Sequence, residues 1–156
     1  MASQINGTDE LSAMLAKLEN EAEPIAAMAL YEGAAIVANA FKSAANSIQA
    51  APFKWGTKRR PRLPSLIEKA AVTNIGIATF HKEGGAEVNT VVGVPEGYVS
   101  INGKAKAVKL LARAINSGTS FMNKQPVFRK AISSSRGAAQ AAMTQKAEEL
   151  IEQIIK

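Results

Sequence analysis

The apolar residues form helical patterns at both ends of the chain and a strand-like pattern between them. Over the first fifty residues they recur at spacings of three and four, which predicts an amphipathic helix. The positions are Leu11, Met14, Leu15, Leu18, Leu30, Ala34, Val37, Phe41, Ala44 and Ile48. Thr8 is suited to cap the first turn. Pro24 either begins a second helix or kinks a continuous one, because it has no N–H to donate.

The middle of the chain predicts antiparallel strands. Residues 72–80 are rich in β-branched side chains and alternate in character, which is typical of a strand. A glycine-containing turn over 81–85 and a second strand over 88–94 would complete a hairpin. A further short strand is predicted over 98–101, followed by a tight Asn-Gly turn.

Two more helices are predicted after the strands. Apolar residues from 107 to 115 recur at helical spacing, and Gly118 stands where a residue with positive φ ends such a helix. Pro126 suits the first turn of the next helix, where its missing N–H would have had no partner. Phe128 and Ile132 lie four residues apart, so we expect them to share one buried face.

The final helix is predicted to continue towards the C-terminus, and its pattern allows a break around 133–137. Its apolar face consists of Ala139, Met143, Ala147, Leu150 and Ile154, widened by Ile151 and Ile155. A face this wide requires burial. We expect it to pack on the protein's own sheet, with a partner subunit as the alternative.

Together these elements predict an α+β fold: a small antiparallel sheet flanked by a long N-terminal helix and a C-terminal helix, in a single domain over 1–156. The pattern fails between 51 and 65, where three prolines and a basic run predict a long loop or mobile arm. The candidate contact residues of this arm are Phe53, Trp55, Lys58, Arg59, Arg60 and Arg62.

The charge is unevenly distributed along the chain, whose net charge is +6. Residues 1–50 contain two basic and six acidic residues, whereas residues 97–146 contain nine basic and no acidic ones. Such asymmetry could steer identical copies into head-to-tail contacts, which close into a ring if the rotation permits. The alternative is that these charges only solvate helix faces.

The residue types needed for catalysis are scarce. The chain has no cysteine, and its one histidine, His81, lies in the predicted hairpin turn, where a solvated side chain is the simpler interpretation than a general base. Phosphate-loop and dinucleotide-binding spacings are absent from the sequence. We therefore expect no enzyme, no metal and no cofactor. We also expect a cytoplasmic protein, since neither a signal peptide nor a run of about 20 apolar residues is evident.

The segment from 118 to 131 resembles a known motif. Gly118-Thr119-Ser120, a short spacer and then Gln125-Pro126-Val127-Phe128-Arg129-Lys130-Ala131 are similar to the glycine–threonine and proline–phenylalanine–arginine signature of the tail-completion proteins of long-tailed bacteriophages. Ala51-Pro52, Gly56-Thr57, Arg62-Leu63 and Ser65-Leu66-Ile67 follow the order of that family's other motif. The chain departs from the family pattern at the inverted Gly56-Thr57 pair, at Asn116-Ser117 in place of an acidic–aromatic pair, and at Lys130 in place of a second proline.

The resemblance implies a structural virion protein of the phage neck, made in the host cytoplasm. Such a subunit forms a ring, joins the tail to the head connector and lets genomic DNA pass. Its partners would be copies of itself, head-connector proteins and tail proteins. Its contact residues would lie in the arm and in the link composed of Gly118, Thr119, Phe121, Pro126, Phe128 and Arg129. Tail termination, a neighbouring ring-forming task, fits the same pattern.

The residues leave three alternatives open. A nucleic-acid-binding module could use the basic arm over 54–62, with Trp55 stacking on a base and the arginines contacting phosphates. Trp55 itself is either an interface residue or a cover for the protein's own core. Phe128 is more simply a core residue, and Gly118 a helix cap.

Overall fold

The computed structural model describes residues 7–52, 60–79, 81–83 and 87–155. The helices are α1 (Gly7–Asn46), α2 (Leu66–Thr73), α3 (Val108–Ser117) and α4 (Val127–Ile155). The strands are β1 (Gly76–Ile77), β2 (His81–Glu83), β3 (Glu87–Asn89), β4 (Val92–Gly93), β5 (Tyr98–Ile101) and β6 (Lys104–Ala107). This arrangement confirms the predicted α+β class, with a long N-terminal helix and a C-terminal helix flanking antiparallel strands.

The strands form two antiparallel hairpins. β1 pairs with β4 and β2 pairs with β3, so these two ladders are successive parts of one hairpin. The second hairpin pairs β5 with β6, and its turn contains Asn102 and Gly103, with φ values of 53° and 74°. The predicted strand over 98–101 and its Asn-Gly turn are therefore confirmed.

The structure corrects the bounds predicted for the first hairpin. Val72 lies in α2 and is fully buried there, although its side chain is β-branched. The Ser65 hydroxyl accepts a hydrogen bond from the Glu68 N–H, and the Glu68 carboxylate accepts one from the Ser65 N–H. This capping box stabilises the start of α2, which extends to Thr73, although strand propensity had predicted that a strand begins at Val72. Residues 81–83 belong to β2, where a turn was predicted.

α1 and α4 pack against each other as an antiparallel pair. The rings of Phe41 and Phe128 lie 5.5 Å apart, near the end of α1 and the start of α4. Nearer the other end of the pair, Gly33 of α1 approaches Met143 of α4. α1 is one helix of 40 residues with Pro24 inside it. Pro24 therefore does not begin a separate helix.

The apolar face of α4 packs on α1, and not on the strands as we expected. Ala131, Ser135 and Ala139 are buried at intervals of four residues, and their small side chains allow the two helices to approach closely. Ile132, one position away from this stripe, is 53% exposed. The prediction that Ile132 shares a buried face with Phe128 is wrong for that reason. α4 continues through 133–137 without a break.

We call the part built from α2, α3, the two hairpins and the C-terminal end of α1 the head. Its core consists of Ala45, Ile48, Val72, Ile101, Val108, Leu111, Ile115 and Met122. A smaller cluster of Ala38, Phe41, Ile75 and Ala131 connects the helical pair to it. Phe128 packs against both clusters, which supports its interpretation as a core residue.

Among the described helices, α1 alone is long and apolar enough to cross a membrane by length and composition. The segment that meets these criteria is Glu10–Asn46, whose most apolar window has a mean hydropathy of 1.3 and is 33% buried. The sequence pattern did not single out this helix. Core helices meet the same two criteria, and the alanine-rich part of α1 packs against α4.

Candidate interaction surface

Arg62 and Glu68 form an ion pair beneath the start of α2. Arg62 Nη1 donates to Glu68 Oε2 at 2.6 Å, and Arg62 Nη2 donates to Oε1 at 2.7 Å. The Glu68 side chain is completely buried and that of Arg62 is only 13% exposed. Lys106 Nζ on β6 lies 3.5 Å from Oε1. This bidentate geometry is the strongest form of an arginine–carboxylate contact.

The ion pair determines the charge state of Glu68. Burial by itself would raise the pKa of this carboxyl. The hydrogen bonds from Arg62 and from the Ser65 N–H, together with the charges of Arg62 and Lys106, outweigh burial and lower the pKa from 4.5 to about 2. Glu68 is therefore ionised across the physiological range, and its role is to hold neighbouring segments in place.

The backbone of Arg62 joins the two segments that the sequence singled out. The Arg62 N–H donates to the Phe121 carbonyl at 2.8 Å, and the Asn123 N–H donates to the Arg62 carbonyl at 2.8 Å. These bonds form a parallel bridge between Arg62 and Met122. We call residues 60–65 and 118–126 together the ledge. The ledge brings together part of the predicted arm and most of the predicted link.

Local hydrogen bonds shape the link half of the ledge. Gly118 ends α3 with φ 75° and ψ 166°, and its N–H donates to the Ala114 carbonyl, which confirms the predicted cap. The Thr119 hydroxyl accepts from the N–H groups of Phe121 and Met122 at 3.2 and 3.1 Å. Such a hydroxyl turn fixes the backbone that carries Phe121.

Gln125 fastens the ledge to the end of α1. The Gln49 N–H donates to Gln125 Oε1 and Gln125 Nε2 donates to the Gln49 carbonyl, both at 2.9 Å. Pro126 immediately precedes α4, close to its predicted place at the helix start. The Arg129 N–H in the first turn of α4 donates to Asn116 Oδ1 at 3.4 Å. Asn116, a departure from the family pattern, thus helps to cap α4.

The structure corrects the arm prediction at its C-terminal end. The Ala51 N–H donates to the Pro64 carbonyl at 3.0 Å, and Ala51 forms a bridge with Ser65, so the two ends of the predicted loop lie together. Pro64 and Ser65 are buried. Because its guanidinium is held by Glu68, Arg62 is a structural residue here and not part of a mobile arm.

The remaining predicted contact residues fall into three groups. Phe53, Trp55, Lys58 and Arg59 lie outside the described residues. Arg60, Thr119, Phe121 and Arg129 are exposed, and Phe121 retains 52% of its accessible surface. Gly118, Pro126 and Phe128 are partly buried. The exposed residues of the ledge therefore include Arg60, Thr119 and Phe121.

Sequence reasoning missed further exposed apolar residues on the head. Leu66 and Ile67 on α2 are 63% and 55% exposed, and Leu110 on α3 is 65% exposed. α2 contacts α3, so these side chains belong to neighbouring helices. Leu110 was included in the apolar pattern of α3, but Leu111 is the residue of that pair that enters the core. Only the packing of α3 distinguishes the two.

The described residues contain no cluster of His, Asp or Glu with the number of ligands that a metal site requires. Lys146 Nζ and Glu149 Oε2 lie 3.0 Å apart on α4, and the Glu149 side chain is 52% exposed. His81 is placed in β2 and not in a turn.

Comparison of the chain with models of protein families, with curated proteins and with solved structures found no match in any of the three.

Proposed function

We propose that this protein is a structural subunit of a bacteriophage neck that forms a ring and joins the tail to the head connector. The proposal begins with the sequence resemblance over residues 118–131 and 51–67. The observation that carries it further is the ledge, in which these distant segments pair through Arg62, Phe121 and Asn123. Motifs that serve a common surface are expected to meet in this way.

The ledge has the character of a contact site. Phe121 is held on a rigid turn by Thr119 and is half exposed, and aromatic residues in such positions contribute strongly to protein interfaces. A buried ion pair behind it keeps the backbone in register. A joining protein needs this kind of rigid, exposed, partly apolar surface and needs no reactive group.

Deleting the gene from the phage genome that encodes it, followed by electron microscopy of the lysate, tests the proposal. We expect filled heads lying apart from finished tails. Finished tails of normal length that are joined to no head would indicate tail completion. Loss of a tail-termination protein would instead give tails of abnormal length. Intact infectious virions would overturn the proposal.

Complementation with single variants tests the ledge itself. Phe121→Ala is expected to fold normally, because the Phe121 side chain is exposed and its backbone bonds remain, yet to leave heads and tails separate. Val91→Ala is the matched control, since Val91 is 64% exposed in the first hairpin, outside the ledge. Full rescue by both variants would remove Phe121 from the joining surface.

A nucleic-acid-binding module is the competing proposal, and exposed basic residues on the second hairpin, α3, the ledge and the first turn of α4 favour it. These include Lys104, Arg113, Lys124, Arg129 and Lys130. Against it, Arg62, one of the arginines first assigned to phosphate contacts, is committed to Glu68. A protein contacting six or more phosphates should lose affinity for DNA roughly a thousandfold between 50 and 200 mM salt. This alternative would be favoured if the protein bound DNA with micromolar affinity at physiological salt and if Arg59→Ala and Arg60→Ala weakened that binding.

A further inference from the structure

The first part of α1 extends beyond the end of α4. From Glu10 to Pro24 every residue is exposed except Leu18, which is partly buried, whereas Ile25 and Ala29 are buried. Gly33 lies beside Met143, and at 1.5 Å per residue the 12 residues of α4 after Met143 reach about the level of residue 21 of α1, so Leu11, Met14 and Leu15 lie beyond the end of α4. We call residues 10–24 the overhang.

The overhang has an apolar stripe without a partner in the described part of the chain. Leu11 and Leu15 are each 57% exposed and Met14 is 38% exposed, and Leu18 continues their face one turn on. These spacings of three and four place the four side chains along one side of the helix. A stripe of this kind is typical of a helix that docks into an apolar site on another protein.

Charge restricts what can cover this stripe. The overhang carries Glu10, Glu19, Glu21 and Glu23 against a single basic residue, Lys17. The neighbouring end of α4 adds acids at 148, 149 and 152, of which Glu149 is paired with Lys146. Pairing two overhangs with each other would bring like charges together, which disfavours a symmetric contact. The complementary surface must be basic and partly apolar.

The head carries such a surface. On α3, Leu110 and Arg113 lie three residues apart on the exposed side, opposite the buried Leu111 and Ile115. The neighbouring α2 exposes the apolar residues Leu66 and Ile67, and β6 contributes the exposed Lys104. Beside α3, the exposed acid Glu96 pairs with Lys109 at 2.6 Å, which leaves the charges of Lys104 and Arg113 for a partner.

The two surfaces cannot meet within one molecule. α1 enters the head core at Ala45, which is 21 residues beyond the end of the overhang. In a helix this separation corresponds to about 30 Å. The overhang and the α2–α3 face therefore lie at opposite ends of the molecule, which is the arrangement that joins identical copies in series.

We propose that the overhang of one copy docks on the α2–α3 face of the next copy. Leu11, Met14, Leu15 and Leu18 cover Leu66, Ile67 and Leu110, while the overhang carboxylates face Lys104 and Arg113. The contact joins different surfaces on the two partners, so repetition gives a ring or an open chain. This inference rests on the proposed function, because it names the two surfaces through which the subunits of the proposed ring would contact each other.

Purified full-length protein tests the proposal without any phage component. Sedimentation velocity at 50 mM salt should show assemblies larger than a monomer, and 500 mM salt should weaken them because the Debye length shortens. Leu11→Ser/Leu15→Ser and Leu110→Ser/Arg113→Glu should each lower the association constant at least about tenfold, since each 1.4 kcal/mol lost is a factor of ten. Circular dichroism should show both variants folded, because the altered side chains are exposed. Val91→Ser is the control and should associate as the unaltered protein does.

Mixing the two variants gives the decisive measurement. Each retains one intact surface, so the mixture should form a discrete heterodimer that neither variant forms alone. A monomeric unaltered protein at 50 mM salt and about 100 μM would overturn the proposal. So would association that survives the overhang substitutions, or a mixture that stays monomeric. Separate heads and tails in the deletion lysate, together with a monomeric protein, would reject this contact while leaving the joining role in place.

Discussion

Arg62 and Glu68 are joined by two hydrogen bonds of 2.6 and 2.7 Å, and the Glu68 side chain is completely buried. Glu68 also completes the capping box of α2 through Ser65. The Glu68 carboxylate therefore caps the start of α2 and pairs with the Arg62 side chain. The Arg62 backbone in turn is hydrogen-bonded to Phe121 and Asn123 in the other half of the ledge. Arg62 and Ser65, which belong to the segment that resembles a family motif, thus have a structural role in the fold.

Substituting Arg62 should destabilise the protein strongly. Arg62→Ala removes both guanidinium hydrogen bonds from the buried Glu68 carboxylate, which keeps the Ser65 N–H and Lys106 Nζ at 3.5 Å, and breaking a buried pair by removing one partner typically costs about 3–5 kcal/mol. Urea unfolding followed by circular dichroism measures the loss.

Arg129→Ala is the matched control for this substitution, because Arg129 is exposed in the first turn of α4. It should change the free energy of unfolding by less than about 0.5 kcal/mol. Equal stabilities for the two variants would mean that the Arg62–Glu68 pair contributes nothing to the fold.

The same pair should make stability depend on acid. The pKa of Glu68 is about 2 in the folded protein and 4.5 as the reference value, so the folded state favours the ionised form. The stabilisation is complete above pH 4.5 and is lost as pH falls towards 2. A difference of about 2.5 pKa units at 1.36 kcal/mol each corresponds to roughly 3 kcal/mol.

Unfolding measured between pH 6 and pH 2 checks this dependence. Glu68→Gln should flatten the profile over that window while lowering stability at pH 6, since the amide cannot pair with Arg62 as an ion. Glu96→Gln is a useful comparison, because the exposed Lys109 hydrogen bond lowers the pKa of Glu96 at a solvated position, so its profile should change little. Parallel profiles for Glu68→Gln and the unaltered protein would contradict the assignment.

Two helical glycines should respond differently to alanine. A Cβ on Gly33 would lie 2.5 Å from Met143 Cγ and 3.2 Å from the Ala139 carbonyl oxygen, at the α1–α4 contact. Overpacking of this kind costs about 1–3 kcal/mol, which offsets the helix-propensity gain of about 1 kcal/mol. A Cβ on Gly137 would meet no atom within 4 Å among the described residues.

Gly137→Ala should therefore raise the free energy of unfolding by about 0.5–1 kcal/mol, while Gly33→Ala should lower it or leave it unchanged. Thermal unfolding of the two variants side by side makes the comparison. Equal stabilisation by both would show that α1 and α4 are not in close contact at Gly33.

Gly118→Ala should disrupt the ledge. Its φ of 75° and ψ of 166° fall in a region that is essentially limited to glycine, at a cost of about 1–3 kcal/mol for other residues. An added Cβ would also lie 2.9 Å from Lys124 Cβ. Gly103→Ala, also at a positive φ of 74° but with no atom within 4 Å in the described structure, is the comparison without the steric contact.

Chemical unfolding should show a larger loss for Gly118→Ala than for Gly103→Ala, by at least about 1 kcal/mol. Amide hydrogen exchange should also accelerate at Arg62 and Asn123, whose N–H groups take part in ledge bonds. Equal losses without faster exchange would mean that the link accommodates the added methyl group.

Those parts of the fold that depend on local chemistry could be predicted from the sequence. Periodicity predicted α1 and α4, and the Asn-Gly pair and Gly118 marked the turn and the cap that the structure shows. The candidate site was predicted less well. The charge of Arg62 suggested an exposed side chain. Glu68 follows six residues later in the sequence, and only the folded structure shows that the two side chains form a buried ion pair.

The sequence by itself determined the helical ends, the stranded middle and the separation of charge, because propensity, turn chemistry and charge are properties of neighbouring residues. Tertiary structure decided which faces are covered. It placed α4 on α1, put Leu111 inside and Leu110 outside, left the overhang exposed and brought Arg62 to Phe121. These outcomes depend on contacts between residues far apart in the chain, whose free energies no local pattern contains.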